Sequence, residues 1–474
     1  MRLSKLRLAC VFLAAAALVR AHIGSPDVFY QGKAGPYSAL VTIRPPAVIP
    51  GVAEVEIRLP ADGVREVRVV PLPLIGAGSN HPPVPDVAKR DSGDAHFFTS
   101  SIWLMAFGSY QVRIDVDGAQ GPGRLSVPVP AISTLVTKMP SGLGTALVAM
   151  MVLLAAGLIT IVGASVREAG LAPGAVAGPD RRRVAWITMA VATVVVGGLI
   201  FFGFRWWNLD ERDYLGHVYR PLTMSAKTDG SRMSLSLADP GWFQFRKTDD
   251  FIPDHGHLMH LFVVRMPAMD RMWHLHPDLQ NDGAFGLALP DMPAGNYKLF
   301  ADVVHANGFA ETLVTDVVLP EVHGRALEGD DADGAAPPVT SREASLTSPM
   351  REGYKMVWVN GNASLKAKTA TQFVFRVEDA AGNPASDMQL YMGMVGHAEF
   401  INSDATVFAH VHPDGSVPMA ALMLTKMPMQ HQHGEIPAVV SFPYGFPKPG
   451  HYRIFVQMQR NGHPETGVFD AQVG

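Results

Sequence analysis

Two runs of this chain have little freedom in what they can become. "GLGTALVAMMVLLAAGLITIVGA" (142–164) and "VAWITMAVATVVVGGLIFFGF" (184–204) carry no charged residue. Each reaches the roughly 20 apolar residues that a helix needs to cross a bilayer. A helix is also the fold that satisfies every backbone group of a single segment in lipid. The loop between them, 165–183, holds Arg167, Arg181, Arg182 and Arg183, an excess that points to the cytoplasmic side. Trp206 and Trp207 follow the second run, as interfacial anchors do. The expectation is a transmembrane hairpin in the bacterial inner membrane, with both large regions on the periplasmic side.

The N-terminus points the same way. Arg2, Lys5 and Arg7 precede the apolar stretch "LACVFLAAAALV" and small residues near Ala21, so 1–21 reads as a signal peptide. The one cysteine, Cys10, lies inside it. A mature chain would have no thiolate, which excludes a blue-copper electron-transfer site. The net charge of −4 shows no basic excess, so no nucleic-acid partner is expected.

Outside the apolar runs the chain reads as β. "ALVTIRPP", "AEVEIRLP" and "VREVRVVPLP" alternate apolar and polar residues between Pro and Gly, as half-buried strands do. A weak repeat recurs at "FGSYQVRIDVDGAQG" (107–121), "PAGNYKLFADVVHANG" (293–308) and "KPGHYRIFVQMQRNG" (448–462). Each has Gly-x-Tyr, an alternating strand, then a Gly turn, and a tyrosine early in a late strand is typical of Greek-key sandwiches. The predicted fold is mainly β: three immunoglobulin-like β-sandwiches at 22–138, 217–323 and 350–474, plus the two-helix hairpin. Residues 324–349, rich in acid, Ala, Gly, Pro and Ser, read as a flexible linker.

The chemistry sits in a phrase written twice, "RMWHLHPD" (271–278) and "VFAHVHPD" (407–414). Residues i and i+2 of a strand share a face, so His274 joins His276 and His410 joins His412. The preceding segments fix the register. Pairing apolar Leu261 with Leu275 and Val263 with Trp273 sets His260 opposite His276. Pairing Ala398 with Val411 and Phe400 with Ala409 sets His397 opposite His412. Opposed Cβ atoms lie about 5 Å apart, so each copy gathers three imidazoles: His260, His274, His276 and His397, His410, His412. The bland alternative is a duplicated fold with incidental histidines on a solvated face. Imidazole is the commonest metal ligand, and its repetition with a cross-strand third member favours a metal.

Methionine bears on which metal, since thioether sulfur is soft and favours Cu(I) while imidazole suits Cu and Zn alike. Of 23 Met and 18 His, 17 and 15 lie beyond Tyr214, so the bias belongs to the C-terminal half. Met272 shares the His face, and the loop "MLTKMPMQHQHGE" offers Met427, Met429, His431 and His433. "DHGHLMH" adds His255, His257 and Met259 ahead of His260. Cleavage after Ala21 would leave His22 first, able to chelate Cu(II) through its amine and ring, with His81 or His96 as a further ligand. No P-loop, G-x-S-x-G, H-E-x-x-H or Rossmann fingerprint is present. The acidic pairs Asp249–Asp250 and Asp330–Asp331 have no partner that sequence can assign.

The third sandwich, "GHAEFINSDATVFAHVHPDG … FPKPGHYRIFVQMQRNG", resembles secreted bacterial domains with a Gly-His, His-x-His-Pro and Gly-Tyr-Arg pattern. "AHIGSPDVFYQGKAGPYSALVTIRPPAVIPG" resembles YtkA-like domains and, more loosely, the copper-resistance protein C family of periplasmic β-sandwiches, with His22 matching that family's terminal-histidine ligand. The resemblance implies an immunoglobulin-like fold and copper carriage without catalysis. The expected function is therefore a membrane-anchored, non-enzymatic protein that buffers, carries or senses copper, as Cu(I) or Cu(II), with zinc the second candidate ion. Its expected partner is another envelope metal-handling protein. Two alternatives stand beside it: an envelope interaction module with incidental histidines, and a copper oxidase or monooxygenase working from His22.

Overall fold

The computed structural model describes residues 26–242, 246–339, 345–427 and 434–474. It divides into two compact units, Leu135–Val218 and the rest.

The first of these is helical. Helices Ser141–Glu168 and Pro179–His217 are both long and apolar enough to cross a membrane. The second extends beyond the expected 184–204 at each end, because Pro179 at its first turn starts it early. Leu153, Ile161, Val194, Leu199 and Phe202 are among the apolar side chains that these helices expose. Gly163 lets the helices approach, since a Cβ there would meet Met189 at 2.5 Å.

The larger unit is mainly β, with every named strand pairing antiparallel, and its sheets face one another in three pairs. In the first pair, a sheet of Val28–Ala34, Tyr37–Arg44, Gly51–Arg58 and Phe97–Leu104 faces one of Val64–Pro73, Gly108–Gly118 and Gly121–Ala131. Val41, Ile57, Val69 and Ile114 are among the residues that fill the space between. The second pair sets Thr223–Asp229, Arg232–Ala238 and Phe285–Ala288 against Ala310–Leu319, Gly295–Val304, His260–Met266, Arg271–Leu275 and Ala332–Ala335. The third sets Lys355–Trp358, Thr371–Glu378 and Val439–Tyr444 against Gly450–Arg460, His397–Asn402, Phe408–Val411 and His463–Val473.

The Gly-x-Tyr repeats begin the strands Gly108–Gly118, Gly295–Val304 and Gly450–Arg460, one in each pair. Two of the tyrosine hydroxyls fasten the start of their strands to backbone four residues upstream. Tyr297 donates to the Pro293 carbonyl at 2.5 Å and Tyr452 to that of Lys448 at 2.8 Å. Tyr110 holds the same place at the start of Gly108–Gly118.

Strand alternation gives the second and third pairs a buried outer face as well. Leu261, Val263 and Trp273 point into the second pair's core. Phe262, Val264, Met272 and Phe300 point outward and meet Ile401, Phe408 and Phe455 of the third pair in a separate apolar cluster. The face expected to be solvated is therefore an internal one. Met272 fills this cluster, fully buried, beside Met269.

Two further expectations change. Residues 324–349 are not a flexible linker in their described part: Ala332–Ala335 pairs with Arg271–His274 as the sheet's edge strand. "ADGA" has no apolar pattern to announce it, because backbone hydrogen bonds hold it there. The loop "MLTKMPMQHQHGE" starts later than expected, since its first two residues, Met423 and Leu424, end a short helix, Met419–Leu424.

The first and third pairs are also joined. Ser416 donates its amide to the Phe29 carbonyl at 2.9 Å, and Gln31 donates to that of Asp414 at 2.7 Å. Gly415 makes this approach possible: its φ is +124°, and a Cβ would lie 2.0 Å from the Phe29 oxygen.

Candidate metal centre

The registers read from apolar residues are those observed. Leu261 pairs with Leu275 and Val263 with Trp273, while Ala398 pairs with Val411 and Phe400 with Ala409. Because the two outer faces pack together, all six strand histidines enter one internal layer.

Among the described residues, two groups of three have ligand nitrogens that lie within 4.8 Å of one another. The first is His260, His274 and His276. The second is His255, His397 and His412, so the expected third member, His410, is replaced by a residue from another sheet pair. The physical reason is a competing carboxylate: Asp302 of the second pair lies 3.3 Å from His410 Nδ1 and holds its ring between the groups. The His410 ring stays close, 5.4 Å from His397 and 5.7 Å from His260 between centroids.

His255 reaches its place from a two-residue turn. Asp254 and His257 exchange backbone hydrogen bonds of 2.8 and 2.9 Å, and His255 and Gly256 both have positive φ, 49° and 89°. Such a conformation is uncommon for a non-glycine residue. It aims the imidazole into the third pair, where the His255, His397 and His412 rings lie 4.8 to 5.0 Å apart, almost an equilateral triangle. Their free nitrogens are well defined. His255 Nδ1 bonds the Met392 carbonyl at 2.9 Å, which leaves Nε2 without a partner. Among the described residues His412 Nε2 has none, and His397, fully buried, has none at either nitrogen. Leaving a buried polar group unsatisfied costs about 1–3 kcal/mol, so this triangle is expensive when empty and suited to a cation.

The first group is more tightly bonded. His276 Nδ1 lies 3.0 Å from Asp331 Oδ1, and its Nε2 is unpartnered. His274 Nδ1 lies 2.8 Å from Gln457 Oε1, His260 Nε2 is 3.0 Å from the Asp254 carbonyl, and His260 Nδ1 is 3.0 Å from His274 Nε2. With Gln457 presenting its oxygen, those last two nitrogens are facing lone pairs, which a cation would reconcile. Turning the amide round supplies a proton instead, so this contact discriminates less than the orphaned nitrogens of the second group.

Sequence reading left Asp330 and Asp331 without partners, and both serve this site. Asp331 is pinned by Arg325. Burial opposes its charge, yet the His276 hydrogen bond and Arg325 hold its carboxyl below the usual range. A carboxylate on the far nitrogen of a ligand histidine orients the ring and raises its basicity. Asp330 bonds His257 at 3.0 Å, and His257 stacks on His276 with centroids 3.9 Å apart. Tyr391 donates to the Asp330 carbonyl at 2.6 Å. Desolvation pushes His260, His274, His397 and His412 well below the ordinary imidazole value. They are neutral at pH 7, the form that binds metal.

The site repeats across the interface. His260 is cross-strand neighbour to Asp302, and His397 to Gln457. His274 then bonds Gln457 and His410 approaches Asp302, each reaching into the other sheet pair. The turn repeats as well: Tyr391 and Met394 exchange backbone bonds around Met392 and Gly393, at φ 50° and 81°. "DHGHLMH" therefore matches "YMGMVGH" (391–397), the sequence signal that would have singled out His255.

Glu399, on the same face as His397, is fully buried with neither oxygen partnered. Burial and the nearby Asp302 push its pKa well above the carboxylate range. Met427 is set apart from the histidines, in a surface groove with Lys33, Arg68 and Arg124. His22, Met429, His431 and His433 lie outside the described residues.

Residues 350–474 match the family described as "Domain of unknown function (DUF8832)". No curated protein matches the sequence. Among solved structures, the tetra-tandem repeat in the extending region of a large adhesion protein is 9% identical, with a TM-score of 0.16 over 89% of this chain and 70% of that one. Salmonella alpha-2-macroglobulin reacted with methylamine is 10% identical, with a TM-score of 0.20 over 96% of this chain and 24% of that one. The BSP domain of a biofilm-associated protein is 7% identical, with a TM-score of 0.15 over 98% and 69%. Likenesses at this level carry no functional argument.

Proposed function

We propose that this chain is a membrane-anchored, extracytoplasmic metal-binding protein that buffers, carries or senses copper without catalysis. In this reading the three sheet pairs are immunoglobulin-like sandwiches, in keeping with the tyrosine fastenings at Tyr297 and Tyr452. The helices form a hairpin whose arginine-rich loop is cytoplasmic, which leaves both large regions in the periplasm. The resemblance to YtkA-like and copper-resistance domains accords with it.

One observation carries the metal reading: His397, fully buried, has no partner at either nitrogen among the described residues and faces the Nε2 atoms of His255 and His412. A metal ion satisfies in one step what water or protein would otherwise have to supply. Sites built of imidazole suit Cu and Zn, and the protein's preference follows from competition between them.

The test uses the full chain in detergent, loaded separately with Cu(I), Cu(II) and Zn(II), dialysed and assayed for bound metal. One ion at each histidine triangle is expected, with copper displacing zinc. His397→Ala should remove the second ion and His276→Ala the first. A wild-type chain that retains neither metal, with both variants unchanged, overturns the reading in favour of an interaction module.

A further inference from the structure

We propose that a cavity where the three sheet pairs meet is the shared inlet through which cations reach both histidine groups, with Asp302 and His410 as its receiving pair. This rests on the metal-binding reading above.

The cavity measures about 190 Å³ and draws its walls from all three pairs: Val28 and Tyr110 from the first, Asp302 and Thr312 from the second, His410 and Val417 from the third. One member of each triangle lines it, His260 and His412. Among the described residues four carboxylates line it too, Asp27, Asp254, Asp302 and Glu311, and no lysine or arginine does. Three of them are already engaged. Glu311 pairs with Arg246, Asp27 lies near Arg44, and Asp254 accepts from the Ala420 amide. Among the described residues Asp302 has only the Thr312 hydroxyl and His410.

Depth is graded along this wall. The Asp302 side chain is 23% exposed and that of His410 5%, while His412 is 2% exposed. His410 Nε2 and His412 Nε2 are buried without partners. A cation drawn from solvent by Asp302 would thus meet His410 next, then the free nitrogen of His412 or the ring of His260. The pseudo-equivalent position tells the same story. Gln457, fully enclosed, carries an amide where Asp302, at the cavity, carries a carboxyl group. A carboxylate in a low-dielectric cleft concentrates cations and accelerates their arrival by about 10- to 1,000-fold.

The experiment follows uptake of Cu(II), added alone to the full metal-free chain in detergent, by stopped-flow absorbance of the copper–imidazole band. Asp302→Asn, which keeps shape and the Thr312 contact, should slow uptake about tenfold at low salt and less at high salt, with the final copper content unchanged. Ala310→Trp, which fills the cavity from the second pair, should slow it further. Wild-type rates in both variants would overturn the inlet while leaving metal binding intact. Lost copper content in Asp302→Asn would overturn it by making Asp302 a ligand. A wild-type chain that takes up no Cu(II) removes the metal reading and the inlet together.

Discussion

The turns Asp254–His257 and Tyr391–Met394 share a backbone and differ in what they present. Both close through reciprocal hydrogen bonds, and both place a non-glycine residue and a glycine at positive φ. At the first position one carries His255, the other Met392. His255 crosses into the third sheet pair and completes a triangle with His397 and His412, whereas the first triangle takes all three of its imidazoles from the second pair. The third pair contributes to that triangle from outside, through Gln457 on His274. A duplicated scaffold has thus yielded two unlike sites. One spans two sheet pairs and has open nitrogens; the other is local and braced by a carboxylate.

The difference can be broken most forcefully at His397. Replacing it with Leu removes two unpartnered buried nitrogens, so the metal-free chain should gain about 1–3 kcal/mol. The same variant should lose the thermal stabilisation that copper gives the second triangle, reversing the order of wild type and variant on loading. Thermal melts with and without copper check the sign change, and equal shifts in both states would contradict it.

A smaller effect separates the bracing. Asp331→Asn should weaken metal binding at the first triangle about 10- to 100-fold, the usual consequence of losing a carboxylate behind a ligand histidine. The second triangle has no such carboxylate and should be untouched. Titration in the His397→Ala background isolates the first site.

The smallest effect concerns a histidine outside the layer. His305 is fully buried between Asp250 at 2.7 Å and Glu311 at 2.9 Å. Burial pulls its pKa down, but the hydrogen bonds and charges of the two carboxylates raise it overall. Since the folded value is the higher one, its stabilising contribution is complete below about pH 6.5 and is lost as pH rises through the folded pKa. His305→Gln should therefore cost more stability at pH 6 than at pH 9, as denaturant unfolding at the two pH values would show.

Much of this was legible in the chain. The hairpin registers followed from apolar alternation alone, because a one-residue slip would have turned Leu261, Val263, Ala398 and Phe400 out of their cores. Other parts left no such trace. "ADGA" joins the sheet through backbone bonds that any residues could make, so 324–349 read as linker. His255 and His397 are 142 positions apart, and only the docking of two outer faces brings them within reach.

The sequence by itself determined the apolar helices, the strands and the three histidines of the first triangle, since these depend on local periodicity and on neighbours one hairpin away. Only the tertiary structure decided that the histidine faces are internal, that His255 displaces His410, and that Asp331 and Asp302 stand where they do. Those outcomes depend on which face of one sheet pair packs against another. That choice is set by Phe262, Phe300, Phe408 and Phe455 meeting in a common core, and it has no period along the chain.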